Sequence, residues 1–310
     1  MNKSTLPLPP PVFLLIGVVA VSFSSILIKW SEAPASILGM YRLLFTVLLF
    51  LPFLPWREMK ILFKNSTLKE WLMLAVSGVF LGLHFLFWME SFSHTTVASA
   101  MILTALEPVF VVIGAYFLFK EKTSKVGIIS ILIAVSGSVI IASGDIGVSK
   151  TALYGDLLSV LGTVAVSVHM LAGQELCRKM PSIIYSFAVF LIGGLVLFVY
   201  NICICTNVSL IQYDIKDWWI FLLLALIPNI FGHALFNWLL KYVDATTISM
   251  AILGEPIGAI ILAYFLLGEM TTVSQLVGGM IVMISVMIFL KYKAAELEKV
   301  TALQEKSNIS

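Results

Sequence analysis

The sequence predicts an all-α polytopic membrane protein of ten transmembrane helices, built as two inverted five-helix repeats. Three observations carry that reading. Of the 310 residues, 60% are hydrophobic and 12% charged, with a mean hydropathy of +1.04, too little polar surface to cover a soluble globule. Ten apolar runs follow one another, each near the roughly 20 residues that a spanning helix requires. Segments of the first half return in the second.

The runs fall at 12–29, 35–55, 71–92, 96–119, 125–143, 154–174, 182–204, 217–239, 246–267 and 273–292. The first follows Lys3 and a stiff "PLPPP", as a cleaved signal peptide would. Its "VAVS" at 19–22 recurs at 164–167 inside the sixth run, so it belongs to the mature fold. The boundaries that follow are a segment 1–11 on the cytoplasmic side, a first repeat 12–143, an external loop 144–153, a second repeat 154–292 and a cytoplasmic tail 293–310, expected to be a frayed helix. Placing the N-terminus in the cytoplasm puts fifteen of the nineteen Lys and Arg residues on that side. Loops keep such residues inside, so both termini are expected to be cytoplasmic. The net charge of +2 then reports topology rather than an acidic partner. Connecting loops are short, which leaves no room for a soluble catalytic or nucleic-acid-binding domain. Cys177, Cys203 and Cys205 have no metal-ligand spacing with histidine, and the last two are too close in sequence for an ordinary disulfide.

The repeat is visible in two places. "GLHFLFWMESF" at 82–92 matches "GHALFNWLLKY" at 232–242, aligning Gly82 with Gly232 and Trp88 with Trp238. "ALEPVFVVIGAYFLFKE" at 105–121 matches the end of "MAILGEPIGAIILAYFLLGE" at 250–269, aligning Glu107 with Glu255. Five helices is an odd number, so the second copy runs through the membrane in the opposite sense. Inverted repeats of this kind place solute sites near the midplane, where interrupted helices of the two halves meet.

Pro108 and Pro256 lack an amide hydrogen, so the carbonyls of Thr104 and Ile252 lose their helical partners and each helix must bend. Glu107 and Glu255 then sit at mid-depth, where a charge costs on the order of 2.5–3.5 kcal/mol. Each is either a cavity wall or a protonated hydrogen-bonding group joining helices. Asn229, His233 and Asn237, spaced i, i+4, i+8, form one polar stripe, and His84 and Trp88 share a face of the third run. The histidines bind solute or protons, or serve as packing groups; Trp88 and Trp238 are interfacial anchors or cavity aromatics. Ser22, Ser25 and Lys29, matched by Ser167, Met170 and Gln174, mark a seam of close packing or cavity lining. Lys29, Glu32, Arg42 and Glu90 fall near outer helix ends, where ion pairing or snorkelling accounts for them; Arg42, the deepest, is the best of these for an anionic group. Signatures such as HExxH, GxSxG, Walker A and GxGxxG are absent, and no metal or cofactor is expected.

The segment "GHALFNWLLKYVDAT" followed by "LGEPIGAIILAYFLLGE", answered by "SHTTVASAMILTALEPVF" and "AYFLFKE", resembles the EamA family of the drug/metabolite transporter superfamily. The resemblance covers about 12–292. It implies a ten-helix inner-membrane transporter, a monomer or homodimer, exporting a small metabolite, amino acid or amphiphilic compound by alternating access. It implicates Glu107, Glu255, His84, His233, Asn237 and Trp88 in binding the solute. "ALEP" lacks the glycine of "LGEP", so the two carboxylates need not be equivalent. Three functional classes remain: a transporter coupled by proton antiport, with Glu255 favoured as the exchanging group and His84 sharing its proton; an uncoupled facilitator; and an intramembrane enzyme or lipid-handling protein. The expected partners are a small-molecule substrate, the lipid bilayer and protons, with no nucleic acid.

Overall fold

The computed structural model describes residues 8–95, 97–142, 150–268 and 273–309, and among them all regular structure is helical. In order, the elements are α1 Pro10–Trp30, α2 Ala35–Phe50, α3 Trp56–Asn65, α4 Leu68–Ser91, α5 Val97–Thr104, α6 Glu107–Phe119 and α7 Lys125–Ala142. The second half contains α8 Lys150–Leu176, α9 Ser182–Cys203, α10 Ile215–Leu224, a π-helical segment Ala225–Ala234, α11 Leu235–Leu239, α12 Ala245–Ile252, α13 Glu255–Leu267 and α14 Val273–Ile309. Among the described residues seven stretches are long and apolar enough to cross a membrane: Pro10–Trp30, Ala35–Phe53, Leu68–Ser91, Leu153–Leu176, Ser182–Cys203, Ile215–Leu239 and Ala245–Leu266. Glu107–Phe119, Lys125–Gly137 and Leu276–Tyr292 are shorter apolar helices.

Proline sets many of these boundaries. Pro9, Pro34, Pro55 and Pro181 stand immediately before α1, α2, α3 and α9, where a missing amide hydrogen costs nothing. Elsewhere side chains cap: Thr67 and Glu70 form a reciprocal capping box on α4, and the Asp244 carboxylate accepts from the Thr247 amide at 2.7 Å on α12. The two Glu-Pro sequences interrupt their helices as expected, α5 ending at Thr104 and α12 at Ile252, with a glutamate beginning each following helix.

The sequence reading differs from the structure in several places. The eighth run is not one α-helix, because Pro228 lies within it and the backbone around it widens into a π-helix. Residues 56–65, outside every hydropathy run, form a separate short helix. The tail, expected to be helical, is so as a continuation of α14 to Ile309. Of the expected external loop, residues 144–149 lie outside the described residues, while 150–153 already belong to α8.

Most helices meet in one core. There α4 packs between α8 and α9, α2 lies on α9, and α1 crosses the π-helical segment and α13. A second apolar cluster joins α7 and α14 to the two interruptions through Ala105, Ile131, Ala134, Leu253 and Val282. Lipid is as apolar as leucine, so helices associate in a bilayer by close packing rather than by escape from water. Small residues permit that approach. A Cβ added at Gly82 would lie 2.9 Å from the Gly193 carbonyl oxygen of α9, whereas one at Gly279 would meet nothing nearer than 3.7 Å. Gly82→Val should therefore destabilise the protein by about 1–3 kcal/mol through overpacking, while Gly279→Ala should leave it unchanged. Melting temperatures of the purified variants check both outcomes.

Candidate functional site

The two interruptions place their carboxylates on one cavity. Glu107 begins α6 and Glu255 begins α13; both are buried, at 2% and 8% exposure. The cavity of about 40 Å³ between the halves is lined by both, together with Arg42, His84, Trp88, His169, His233 and Asn237. All six residues singled out from the sequence therefore surround one space. At that volume it has room for a few waters and none for a metabolite.

Hydroxyl groups from neighbouring helices serve the backbone beside the first interruption. Ser159 of α8 donates to the Ala100 carbonyl at 2.8 Å and Thr163 to the Leu103 carbonyl at 3.3 Å. The Thr104 hydroxyl also donates to Ala100 and accepts the Trp88 indole N–H at 3.0 Å. Trp88 is thus a cavity residue, 3% exposed and stacked on His84 with ring centroids 5.8 Å apart. Its aligned partner Trp238 packs instead against Phe13 and Tyr242, away from the cavity. The second interruption is met differently. Ser22 of α1 donates to the Glu255 carbonyl at 3.3 Å, and a Cβ on Gly258 would fall 2.1 Å from the Ser22 hydroxyl oxygen. Gly258 admits α1 rather than a solute.

Arg42 departs most from expectation. It is fully buried, not snorkelled at an interface. Its Nε and Nη2 donate to the Asn229 Oδ1 at 3.0 and 2.6 Å, and Nη1 donates to the Ser24 hydroxyl at 3.1 Å. Asn229 in turn donates to the Arg42 carbonyl and to Thr46. The guanidinium carbon lies 4.1 Å from the centroid of Phe85. Such bonds fix the cation in place at the cavity wall, facing the same space as Glu255. The sequence offered Arg42 as an interfacial residue or as a site for an anionic group, and linear spacing does not show that Asn229 folds against it.

The histidines divide. His84 bonds the Gly162 carbonyl through Nδ1 at 3.0 Å and meets His233 edge-on at 6.4 Å. His169 was missed, although a histidine in the middle of an apolar run is itself a signal. Its Nδ1 lies 2.9 Å from the Ser77 hydroxyl, and its ring stacks on Tyr185. The stripe of Asn229, His233 and Asn237 survives the π-helical distortion: Asn229 holds Arg42 and the other two line the cavity. One atom stands apart. The Oε1 of Glu107 is buried and has no hydrogen-bond partner among the described residues.

The bundle ends differ. At one, Gln174 of α8, fully buried, donates to the Glu121 carboxylate at 2.9 Å and accepts from the Ala245 amide at 2.6 Å, tying α8 to the end of α6 and the start of α12. Lys179 pairs nearby with Glu175 at 2.8 Å and Glu70 at 3.8 Å. At the other, a vestibule of about 260 Å³ opens between α1, α2 and α4, lined by Ser25, Lys29, Met89 and Phe92 among others. Trp88 and Phe92, 4.8 Å apart edge to face, stand between vestibule and cavity. Glu32 and Glu90 pair at the outer ends as expected, with Lys216 at 3.9 Å and His94 at 3.4 Å. The seam residues divide between close packing, at Ser22, and the vestibule wall, at Ser25 and Lys29. Among the described residues no three His, Cys, Asp or Glu side chains converge in a way that would hold a metal.

A multi-pass helical membrane protein with polar groups gathered on a buried cavity belongs to the class of membrane transporters, and comparison with known proteins agrees. The profile described as "EamA-like transporter family" matches residues 9–143 and 153–291, one repeat each, so the chain belongs to that family. Among its relatives, "Uncharacterized transporter YyaM" of Bacillus subtilis (strain 168) is 23% identical over 72% of this chain and 75% of its own length. An "Uncharacterized transporter" of Archaeoglobus fulgidus is 24% identical over 84% of this chain and 90% of its own. A solved crystal structure shares the fold with a TM-score of 0.73 at 15% identity, covering 93% of this chain and 98% of that one.

The Arg42 anchorage makes a prediction. Asn229→Ala leaves a buried guanidinium without two of its bonds and should destabilise the protein by about 2–3 kcal/mol, read as a lowered melting temperature.

Proposed function

We propose that the protein is a ten-span secondary transporter of two inverted five-helix repeats, with both termini cytoplasmic. It exports a small metabolite, amino acid or amphiphilic compound by alternating access, in exchange for protons. The observation that carries this reading is the unsatisfied Glu107 Oε1 on a cavity between the halves. A carboxylate buried without a donor is costly, and the cost is relieved either by a proton or by an N–H or O–H of the solute. Competition between those two donors for one oxygen is the minimum chemistry of antiport.

Glu107 is the better proton carrier of the pair. Both acids line the cavity with Arg42, but it is the Oε1 of Glu107 that is buried with no hydrogen-bond partner among the described residues. That reverses the preference for Glu255 drawn from the sequence, since an orphaned oxygen was not legible there. In proteoliposome counterflow with and without an imposed pH gradient, Glu107→Gln should abolish the response to the gradient. Glu255→Gln should lower flux several-fold and keep the response. If wild-type flux ignores the gradient, the protein is an uncoupled facilitator.

Alternating access also requires a closure that opens. The Gln174 bridge closes the cytoplasmic end while the vestibule faces outward. With a single cysteine at 255 in a cysteine-free background, Gln174→Ala should raise labelling by a hydrophilic thiol reagent from the cytoplasmic side at least two-fold. Unchanged labelling would remove Gln174 from the closure.

A further inference from the structure

We propose that α3 is a docking site for anionic phospholipid headgroups. The helix joins two membrane-spanning stretches, Ala35–Phe53 and Leu68–Ser91, and so lies at a bilayer boundary. One face is committed to the protein: Met59 is buried, and Leu62 and Phe63 are half-buried against the main core. Phe63 rests on Trp71 at 4.8 Å, and Trp56 meets Phe187 of α9 edge-on at 6.5 Å. The opposite face is cationic. Arg57, Lys60 and Lys64, spaced i, i+3, i+7, share one stripe and are all exposed. None of the three has an ion-pair partner among the described residues. The acid of the helix, Glu58, falls off that stripe.

At 100° per residue, exposed Trp56 borders the cations on one side and exposed Ile61 on the other. A cationic stripe between apolar borders is the pattern of a helix lying in the headgroup layer. There, basic side chains meet phosphate while aromatic and aliphatic groups reach the acyl boundary. Water alone would satisfy the cations but not Trp56 and Ile61, which are 45% and 54% exposed. An acidic soluble partner would likewise leave those borders uncovered. This inference rests on the chain crossing a bilayer and not on what it transports, so the two fail separately.

Each cation near an anionic surface strengthens binding about five-fold, so the three together contribute on the order of a hundred-fold. The test titrates the full-length protein in nonionic detergent with phosphatidylglycerol or phosphatidylcholine, following melting temperature and counting lipid retained after gel filtration. Phosphatidylglycerol should raise the melting temperature more than phosphatidylcholine does, and about 0.5 M NaCl should largely erase the difference. In R57Q/K60Q/K64Q the half-saturating phosphatidylglycerol should rise on the order of a hundred-fold, whereas the charge-preserving R57K/K60R/K64R should behave as wild type. An identical response in R57Q/K60Q/K64Q overturns the proposal. So does an equal shift with glycerol phosphate, which would mark a site for free phosphate. Should the neutralised variant not fold, salt-insensitive binding by the wild type overturns it equally.

Discussion

A helix inside a bilayer cannot be interrupted unless something answers the polar groups it abandons, and this structure is organised around two such interruptions. Pro108 and Pro256 cut their helices at corresponding places in the two repeats, and each cut needs partners that lipid cannot supply. The hydroxyls of Ser159 and Thr163 bond the Ala100 and Leu103 carbonyls just before one interruption, and that of Ser22 bonds the Glu255 carbonyl just after the other. Those donors sit on α8 and α1, the opening helices of the opposite repeats. Each interruption is thereby held against the other half, with Glu107 and Glu255 on the cavity between them.

Charge is then distributed unequally over a symmetric scaffold. Arg42 enters from α2, held by an asparagine that the π-helical segment presents, and the second half supplies no matching Lys or Arg among the described residues that line the cavity. Two carboxylates that began as copies thereby acquire different surroundings. One small space thus carries a fixed cation, two buried acids and an unsatisfied carboxylate oxygen on Glu107.

The two spaces in the bundle differ in size. About 40 Å³ holds a few waters, whereas the vestibule of about 260 Å³ beyond Trp88 and Phe92 is several times larger. At the opposite end Gln174 bridges the ends of α6 and α12 with no exposure to solvent. The two ends differ in kind: hydrogen bonds join helices at one, and an edge-to-face aromatic pair stands at the other.

The sequence by itself determined the all-helical membrane class, the two repeats and the paired Glu-Pro interruptions. Composition, run length and the missing amide of proline act locally, whatever the helices later touch. It also named six residues that share one cavity, because polar groups buried in apolar runs are conspicuous. What only the tertiary structure decided is who meets whom. The burial of Arg42 against Asn229, the orphaned oxygen of Glu107 and the place of His169 on the cavity wall depend on helices far apart in the chain. So does the use of Gly258 for packing against Ser22. Asn229 sits in the π-helical segment around Pro228 and meets Arg42 and Thr46 of α2, and no periodicity counted along the sequence names the helix that a polar stripe will face.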